Sequence, residues 1–280
     1  MMRKKQQAVV LSQKKLTEEI FDLRLSAPEI ASGAAAGQFV NVYCSDSSRL
    51  LPRPISLAGI DRDGGVIRLV YRVSGAGTEE FSRLEPGDKL ELLGPLGNGF
   101  PVEDVKKKAP EQVFLIGGGI GIPPLLETAK ALRNAVPVTA VLGYRDGDTF
   151  LADEFREVCD RVLIATEDGS DGVRGTVLDA IRKEEGAGVH DAAPDTICQD
   201  GENVSVWFAC GPTPMLRALQ AYAAENEIEC WLSLEERMAC GIGACLACVC
   251  RTAEKDEHSQ VNNRRVCREG PVFRAEEIIL

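Results

Sequence analysis

The sequence predicts a multidomain β plus α/β protein: an N-terminal antiparallel β-barrel, an α/β domain on a parallel sheet, and a small C-terminal module built on cysteines. Three observations carry this. Short apolar or alternating runs broken by turn residues fill residues 6–99. A continuous apolar run then enters a glycine loop and a helix. Five cysteines gather near the C-terminus, Cys240, Cys245, Cys248 and Cys267 among them. These signals divide the chain into residues 1–104, 105–230 and 231–280.

In the first part, residues 8–11, 20–25, 38–43, 55–60, 66–71 and 89–93 read as strands. Ser32-Gly33, Asp63-Gly64-Gly65 and Glu85-Pro86-Gly87-Asp88 punctuate them. Six short strands at this spacing suggest a small closed barrel. Two clusters in it carry chemistry. In Arg53-Pro54-Ile55-Ser56 a proline fixes the backbone between a permanently charged guanidinium, suited to bidentate phosphate binding, and a hydroxyl. In Val70-Tyr71-Arg72, Tyr71 offers a flat face to a flavin ring, and Gly77-Thr78 opens a one-turn helix toward a pyrophosphate. Each cluster is equally readable as barrel rim, strand aromatic or helix cap. Glu79 and Glu80 sit awkwardly beside a phosphate.

Residues 95–110, with their prolines, glycines and Lys106-Lys107-Lys108, read as a linker. Val113-Phe114-Leu115-Ile116 then has the continuous apolar character of a buried parallel strand. It enters Gly117-Gly118-Gly119-Ile120-Gly121 and a helix over residues 124–134. Strand, glycine loop and helix together form a credible phosphate cradle at Gly118, Gly119 and Gly121. The third glycine of the usual dinucleotide fingerprint is replaced by Ile122. Further units follow: strand 138–142, helix 150–158, strand 161–165 ending in Thr166-Glu167-Asp168-Gly169-Ser170, and helix 176–185. Strand 204–209 delivers Cys210-Gly211-Pro212 into helix 216–224. Cysteine at that edge lies where open α/β sheets bind ligands, or is a small buried hydrophobe. Residues 184–202 read as a surface excursion; His190 within it and His258 are expected as solvated loop residues.

Four residues separate Cys240 from Cys245, two separate Cys245 from Cys248, and Cys267 follows. This is the plant-type spacing for a 2Fe-2S cluster. Gly241, Gly243 and Ala244 let the loop turn tightly and aim N–H groups at anionic sulfur. Cys250 is an outside candidate for the ligand set, while Cys44, Cys159, Cys198 and Cys230 stand alone.

With 280 residues, 44% hydrophobic and 27% charged, the chain has enough apolar content for two cores. A net charge of -11 argues against nucleic acid or an anionic membrane as partner. The basic N-terminus lacks the apolar segment of a signal peptide, and no apolar stretch is long enough to span a bilayer. A cytoplasmic location with reduced thiols is expected, which favours metal binding over disulfides.

Arg53-Pro54-Ile55-Ser56, the glycine loop and Cys210-Gly211-Pro212 with Met215 resemble, in that order, the ferredoxin-reductase superfamily. The segment from Glu236-Arg237-Met238-Ala239-Cys240 to Val266-Cys267-Arg268-Glu269-Gly270 narrows this. It resembles the electron-transfer subunits of two-subunit, NAD-dependent dihydroorotate dehydrogenases, over essentially the whole chain. The resemblance implies FAD on Arg53, Pro54, Ile55, Ser56, Val70, Tyr71, Arg72, Gly77 and Thr78. It implies a 2Fe-2S cluster on Cys240, Cys245, Cys248 and Cys267. NAD, as co-substrate, would bind at Gly118, Gly119, Gly121, Asp168, Cys210 and Gly211.

A flavin exchanges both hydride and single electrons, so it belongs between nicotinamide and cluster. The chain has no room for a second large substrate barrel, and no catalytic base stands out. A separate catalytic flavoprotein subunit is therefore expected to oxidise dihydroorotate, in a heterotetramer of two of each chain. Two alternatives stay open: a related NAD(P)H reductase subunit serving ferredoxin, sulfide or hydrogen metabolism or an oxygenase, and a zinc-stapled module without redox activity. Arg145 favours a 2'-phosphate, whereas Asp146 and Asp148 favour NAD.

Overall fold

The computed structural model describes residues 3–187, 205–255 and 260–280. His190, Cys198 and His258 lie outside them. The chain divides into two compact units: Met1–Gly99 with Glu236–Val272, and Phe100–Glu235 with Phe273–Leu280.

The first unit opens with six strands: β1 (Lys4–Lys15), β2 (Ile20–Ser26), β3 (Phe39–Val42), β4 (Arg53–Asp61), β5 (Val66–Arg72) and β6 (Lys89–Leu96). They close into a barrel of order β1-β2-β5-β4-β3-β6, every pairing antiparallel. Closure removes the exposed sheet edges that a six-stranded sheet would otherwise leave open. Alternation sends Val40, Val42, Ile55, Leu57, Ile67, Leu69 and Tyr71 inward to one core, with Phe81 of helix α2 (Ala76–Phe81) plugging it. The four-residue helix α1 (Pro28–Ala31) adds Ile30 and Ala31 to the same core. Strand β1 is far longer than residues 8–11, because its polar ends still complete ladders to β6 and β2.

Residues 95–110 are not simply a linker. Helix α3 (Val102–Lys108) takes up 7 of them, burying Val102 and Val105. Glu103 and Asp104 stand in its first turn and the three lysines in its last, each complementing the helix dipole. The lysine run is thus a helix terminus.

In the second unit the chain alternates strand and helix. Strand β7 (Gln112–Gly118) leads to α4 (Pro123–Leu132), then come β8 (Val138–Tyr144), α5 (Ala152–Val158), β9 (Arg161–Thr166), β10 (Val173–Arg174) and α6 (Val177–Ala187). Strand β11 (Ser205–Cys210), α7 (Thr213–Glu225) and β12 (Glu229–Ser233) follow. The chain then contributes β13 (Val249–Thr252) and β14 (Asn263–Arg265), an antiparallel pair within the first unit. Finally β15 (Val272–Arg274) completes a seven-stranded sheet of order β10-β9-β8-β7-β11-β12-β15. Its central pairings are parallel, and strands β7 and β11 are buried almost throughout, which explains their unbroken apolar sequences.

Candidate functional site

The sheet order itself locates one crevice. From β7 the chain winds outward through β8 and β9, then crosses to the other side with β11, so the winding direction reverses between β7 and β11. Ligands of open α/β sheets bind outside the carboxyl ends of the strands at such a reversal. The glycine loop leaves β7 there and the Cys210 turn leaves β11, with Gly117 paired to Cys210. The two loops touch. A Cβ on Gly121 would stand 2.5 Å from the carbonyl carbon of Cys210 and 2.6 Å from Gly211 N; one on Gly118 would stand 2.6 Å from Met215 Sδ. At Gly121, glycine is required by close backbone approach.

Cys210 is 3% exposed, and burial pushes its thiol up to about 12. Its side chain is therefore a small buried neutral group, leaving the backbone of the turn to face the crevice. Asp168 lies two strands away, past the end of β9. Its carboxylate is lowered by the Ser170 hydroxyl and backbone N–H, which both donate to Oδ1, at 2.6 and 2.9 Å. Asp168 N also donates to Arg145 O, so the loops after β8 and β9 are joined.

The barrel forms a second site. Arg53 opens β4 and its guanidinium lies against Gly77 at the start of α2: a Cβ there would come within 2.6 Å of Cζ and 2.7 Å of Nη2. The structure thus unites the two motifs that sequence placed 24 residues apart. Arg53 Nη1 donates to Leu51 O at 2.5 Å, aiming the fork. Thr78 Oγ1 accepts from Ser74 N and Gly75 N at 2.9 and 3.2 Å, holding the turn before the helix. The neighbouring acids are already matched. Glu80 takes Arg49 Nη1 at 2.6 Å and Ser45 N at 2.5 Å, and Glu79 pairs with Arg83. Among the described residues, neither of these acids is paired with Arg53.

A cavity of about 500 Å³ opens beside this arginine, between Arg49, Leu51 and Pro54 on one side and Glu236, Arg237 and Met238 on the other. Pro54 and Ser56 are half-buried, on the outward-facing side of β4, while Ile55 faces the core. Val70 is buried and Arg72 exposed. Tyr71 departs from expectation. Its ring lies in the barrel core, stacked on Phe21 at 5.9 Å with its hydroxyl donating to Gln13 Oε1 at 3.0 Å. Inward alternation along β5 leaves only the backbone of Tyr71 for a ligand, so the ring cannot face a flavin.

The cysteine loop is attached to the same unit. Gly241 and Gly243 adopt φ of +65° and +85°, a region that disfavours side chains, and turn the loop. Ile242 N and Ala244 N then donate to Cys240 Sγ at 3.4 and 3.3 Å, and Cys267 N donates to Cys248 Sγ at 3.4 Å. Burial opposes ionisation of Cys240, but the N–H of Ile242 together with Cys245 and Ala244 outweighs it and lowers the thiol to about 6. Cys267 is pushed up to about 12 by burial and by its hydrogen bond with Cys248.

Cys245 stands within hydrogen-bonding reach of Cys240, and Cys248 within reach of Cys267. Among the described residues, no three Cys, His, Asp or Glu side chains converge as a single metal ion requires. Cys250 is buried, and desolvation raises its thiol.

Sequence reasoning missed the supports of this loop. Arg265 Nη1 donates to Gly243 O at 2.8 Å, and Arg265 also pairs with Glu269, bracketing Cys267. Asn41 of β3, 0% exposed, donates from Nδ2 to Cys240 O at 3.1 Å, while its Oδ1 has no partner among the described residues. No periodicity marks a lone asparagine in a strand as a loop anchor.

Comparison with known proteins agrees with this geometry. Residues 7–100 match the oxidoreductase FAD-binding domain family, and residues 235–279 match the iron-sulfur cluster binding domain of dihydroorotate dehydrogenase B. The electron transfer subunit of dihydroorotate dehydrogenase B (NAD(+)) from Geobacillus sp. (strain WCH70) is 42% identical, over 100% of both chains. That from Enterococcus faecalis (strain ATCC 700802 / V583) is 38% identical, also over 100% of both. Among solved structures, an NADH-dependent reduced ferredoxin-NADP oxidoreductase matches with a TM-score of 0.79 at 30% identity, covering 97% of this chain and 89% of that one. The ferredoxin NADP+ reductase of Neisseria gonorrhoeae shares the fold, with a TM-score of 0.64 at 16% identity, over 79% of this chain and 91% of its own. With full-length identity of this order, a FAD-binding barrel and an iron-sulfur binding domain, the chain belongs to the family of dihydroorotate dehydrogenase B electron transfer subunits.

Proposed function

We propose that this chain carries a 2Fe-2S cluster on Cys240, Cys245, Cys248 and Cys267 and FAD on the barrel, and serves NAD as co-substrate in a cytoplasmic, NAD-linked oxidation of dihydroorotate. The observation that carries the reading is the loop in which Cys240 and Cys248 are met by backbone N–H groups, within the same unit as the Arg53–Gly77 cradle. Bound flavin exchanges hydride with a nicotinamide and single electrons with an iron–sulfur centre.

The residues divide the work. Arg53, with Gly77 and Thr78, receives the pyrophosphate, Pro54 and Ser56 present the outer face of β4 to the ring, and Val70, Tyr71 and Arg72 offer backbone along β5. Gly118, Gly119, Gly121 and the backbone of Cys210 and Gly211 admit the nicotinamide nucleotide at the sheet's reversal, and Asp168 takes part from the neighbouring edge. The N–H groups of Ile242, Ala244 and Cys267 favour added negative charge on the sulfurs. The residue ranges 1–104, 105–230 and 231–280 correspond in this reading to the FAD, NAD and cluster parts.

The partner is a catalytic flavoprotein subunit, two copies of each chain forming a heterotetramer. Co-purification with that subunit, followed by a dihydroorotate:NAD assay, tests the reading. The isolated chain should oxidise NADH with artificial dyes and leave dihydroorotate untouched; full dihydroorotate turnover by the chain alone would refute the division of labour. The 30% identity to the NADH-dependent reduced ferredoxin-NADP oxidoreductase favours a second reading, a reductase subunit of that kind. Turnover with NADPH at or above that with NADH would support it.

A further inference from the structure

We propose that Asn41 is a positioning residue for the cluster: it holds the Cys240 carbonyl and thereby fixes the N–H groups that bond to the Cys240 sulfur. The inference rests on the reading that the four cysteines hold a 2Fe-2S centre. Val40 and Val42 point into the barrel core, so Asn41 between them points outward, opposite Pro54 in the register of β3 and β4. There it is 0% exposed and donates from Nδ2 to Cys240 O at 3.1 Å. The amide's orientation follows from that bond, because the reversed group would set oxygen against oxygen.

The next residue is built around the same amide. A Cβ on Gly241 would stand 2.7 Å from Asn41 Oδ1 and 2.9 Å from Cγ, so the glycine answers both the +65° φ and the pressing side chain. A carbonyl anchored just before a left-handed glycine fixes the path of the following backbone, whose Ile242 and Ala244 N–H groups reach Cys240 Sγ. Asn41 Oδ1 accepts nothing among the described residues. An apolar residue of that size would fill the space without burying an unmet acceptor, so the donation to Cys240 is what the amide contributes here. Asn98 supplies the contrast. Its Nδ2 donates to Glu269 O at 2.9 Å, tying the module to the barrel at a carbonyl that precedes no cluster sulfur.

Hydrogen bonds to cluster sulfur favour the reduced, more negative state. Asn41→Leu should loosen those to Cys240 and make the cluster harder to reduce, whereas Asn98→Leu should not. The test uses the full chain with its cofactors and partner, with electron paramagnetic resonance of the dithionite-reduced protein and a dye-mediated reductive titration. In Asn41→Leu the reduced-to-oxidised ratio at a fixed dye poise should fall about threefold or more, with altered g-values. Asn41→Ser, which keeps a donor in a smaller side chain, should shift the ratio in the same direction by less, and it takes over if the leucine variant fails to fold. Unchanged ratio and g-values in the folded Asn41 variant, or an equal change in Asn98→Leu, would overturn the proposal alone. Absence of any 2Fe-2S signal from the unsubstituted chain would overturn the cluster reading and this inference with it.

Discussion

Gly77→Ala isolates the phosphate cradle from the fold. A Cβ there would lie 2.6 Å from Arg53 Cζ and 2.7 Å from Nη2, whereas carbon contacts settle near about 3.5–4.0 Å, so the guanidinium must withdraw by roughly 1 Å. A charge-assisted hydrogen bond at about 2.8 Å does not survive such a shift. One such bond is worth about 1.5–3 kcal/mol, so FAD affinity should fall about 10- to 150-fold. Stability should barely change. Arg53 is a flexible chain end, Gly77 lies outside the positive-φ glycines, and alanine is the better helix former. Flavin-fluorescence titration of the deflavinated protein gives the affinity, and a thermal melt of the same sample checks the fold. If FAD bound within about twofold of the unsubstituted protein while the melt was unchanged, Arg53 beside Gly77 would not be the phosphate cradle.

Four further outcomes are expected. Gly121→Ala drives a Cβ into the Cys210–Gly211 backbone, which cannot swing aside, and should cost about 3 kcal/mol, read by urea denaturation. Asp22→Asn removes the charge facing buried Arg68, bonded at 2.8 and 2.9 Å, and should cost about 3–5 kcal/mol in the same assay. Cys248→Ser should abolish the visible absorption of the cluster, and Cys250→Ser should preserve it. Burial raises the thiols of Cys210 and Cys230 to about 12, above their ordinary value of 9.0. Their contribution is complete below pH about 9 and is lost as pH rises toward about 12, because only the unfolded chain then releases the protons. Melting temperature should decline over that range, and Cys230→Ala should flatten the decline.

Much of this protein was legible because its signals are local. The buried parallel strands β7 and β11 announce themselves as unbroken apolar runs, since a strand covered on both faces has no polar side to show. Cysteine spacing marks the cluster loop for a comparable reason: the short loop must itself carry three of the sulfurs and the turns between them. Charge pattern was read less well. Lys106, Lys107 and Lys108 look like a solvated run until Glu103 and Asp104 are seen at the opposite end of the same helix.

By itself, the sequence determined the order of barrel, α/β domain and cysteine module, and the residue types able to hold phosphate and iron. Tertiary structure decided the rest. It brought Gly77 against Arg53, turned the Tyr71 ring into the barrel and set backbone N–H groups on Cys240 and Cys248. It also set Asn41 under the carbonyl of a cysteine 199 residues away. The physical reason is that spacing and periodicity record what a segment does with its own backbone, whereas a contact between distant segments depends on barrel closure and strand register.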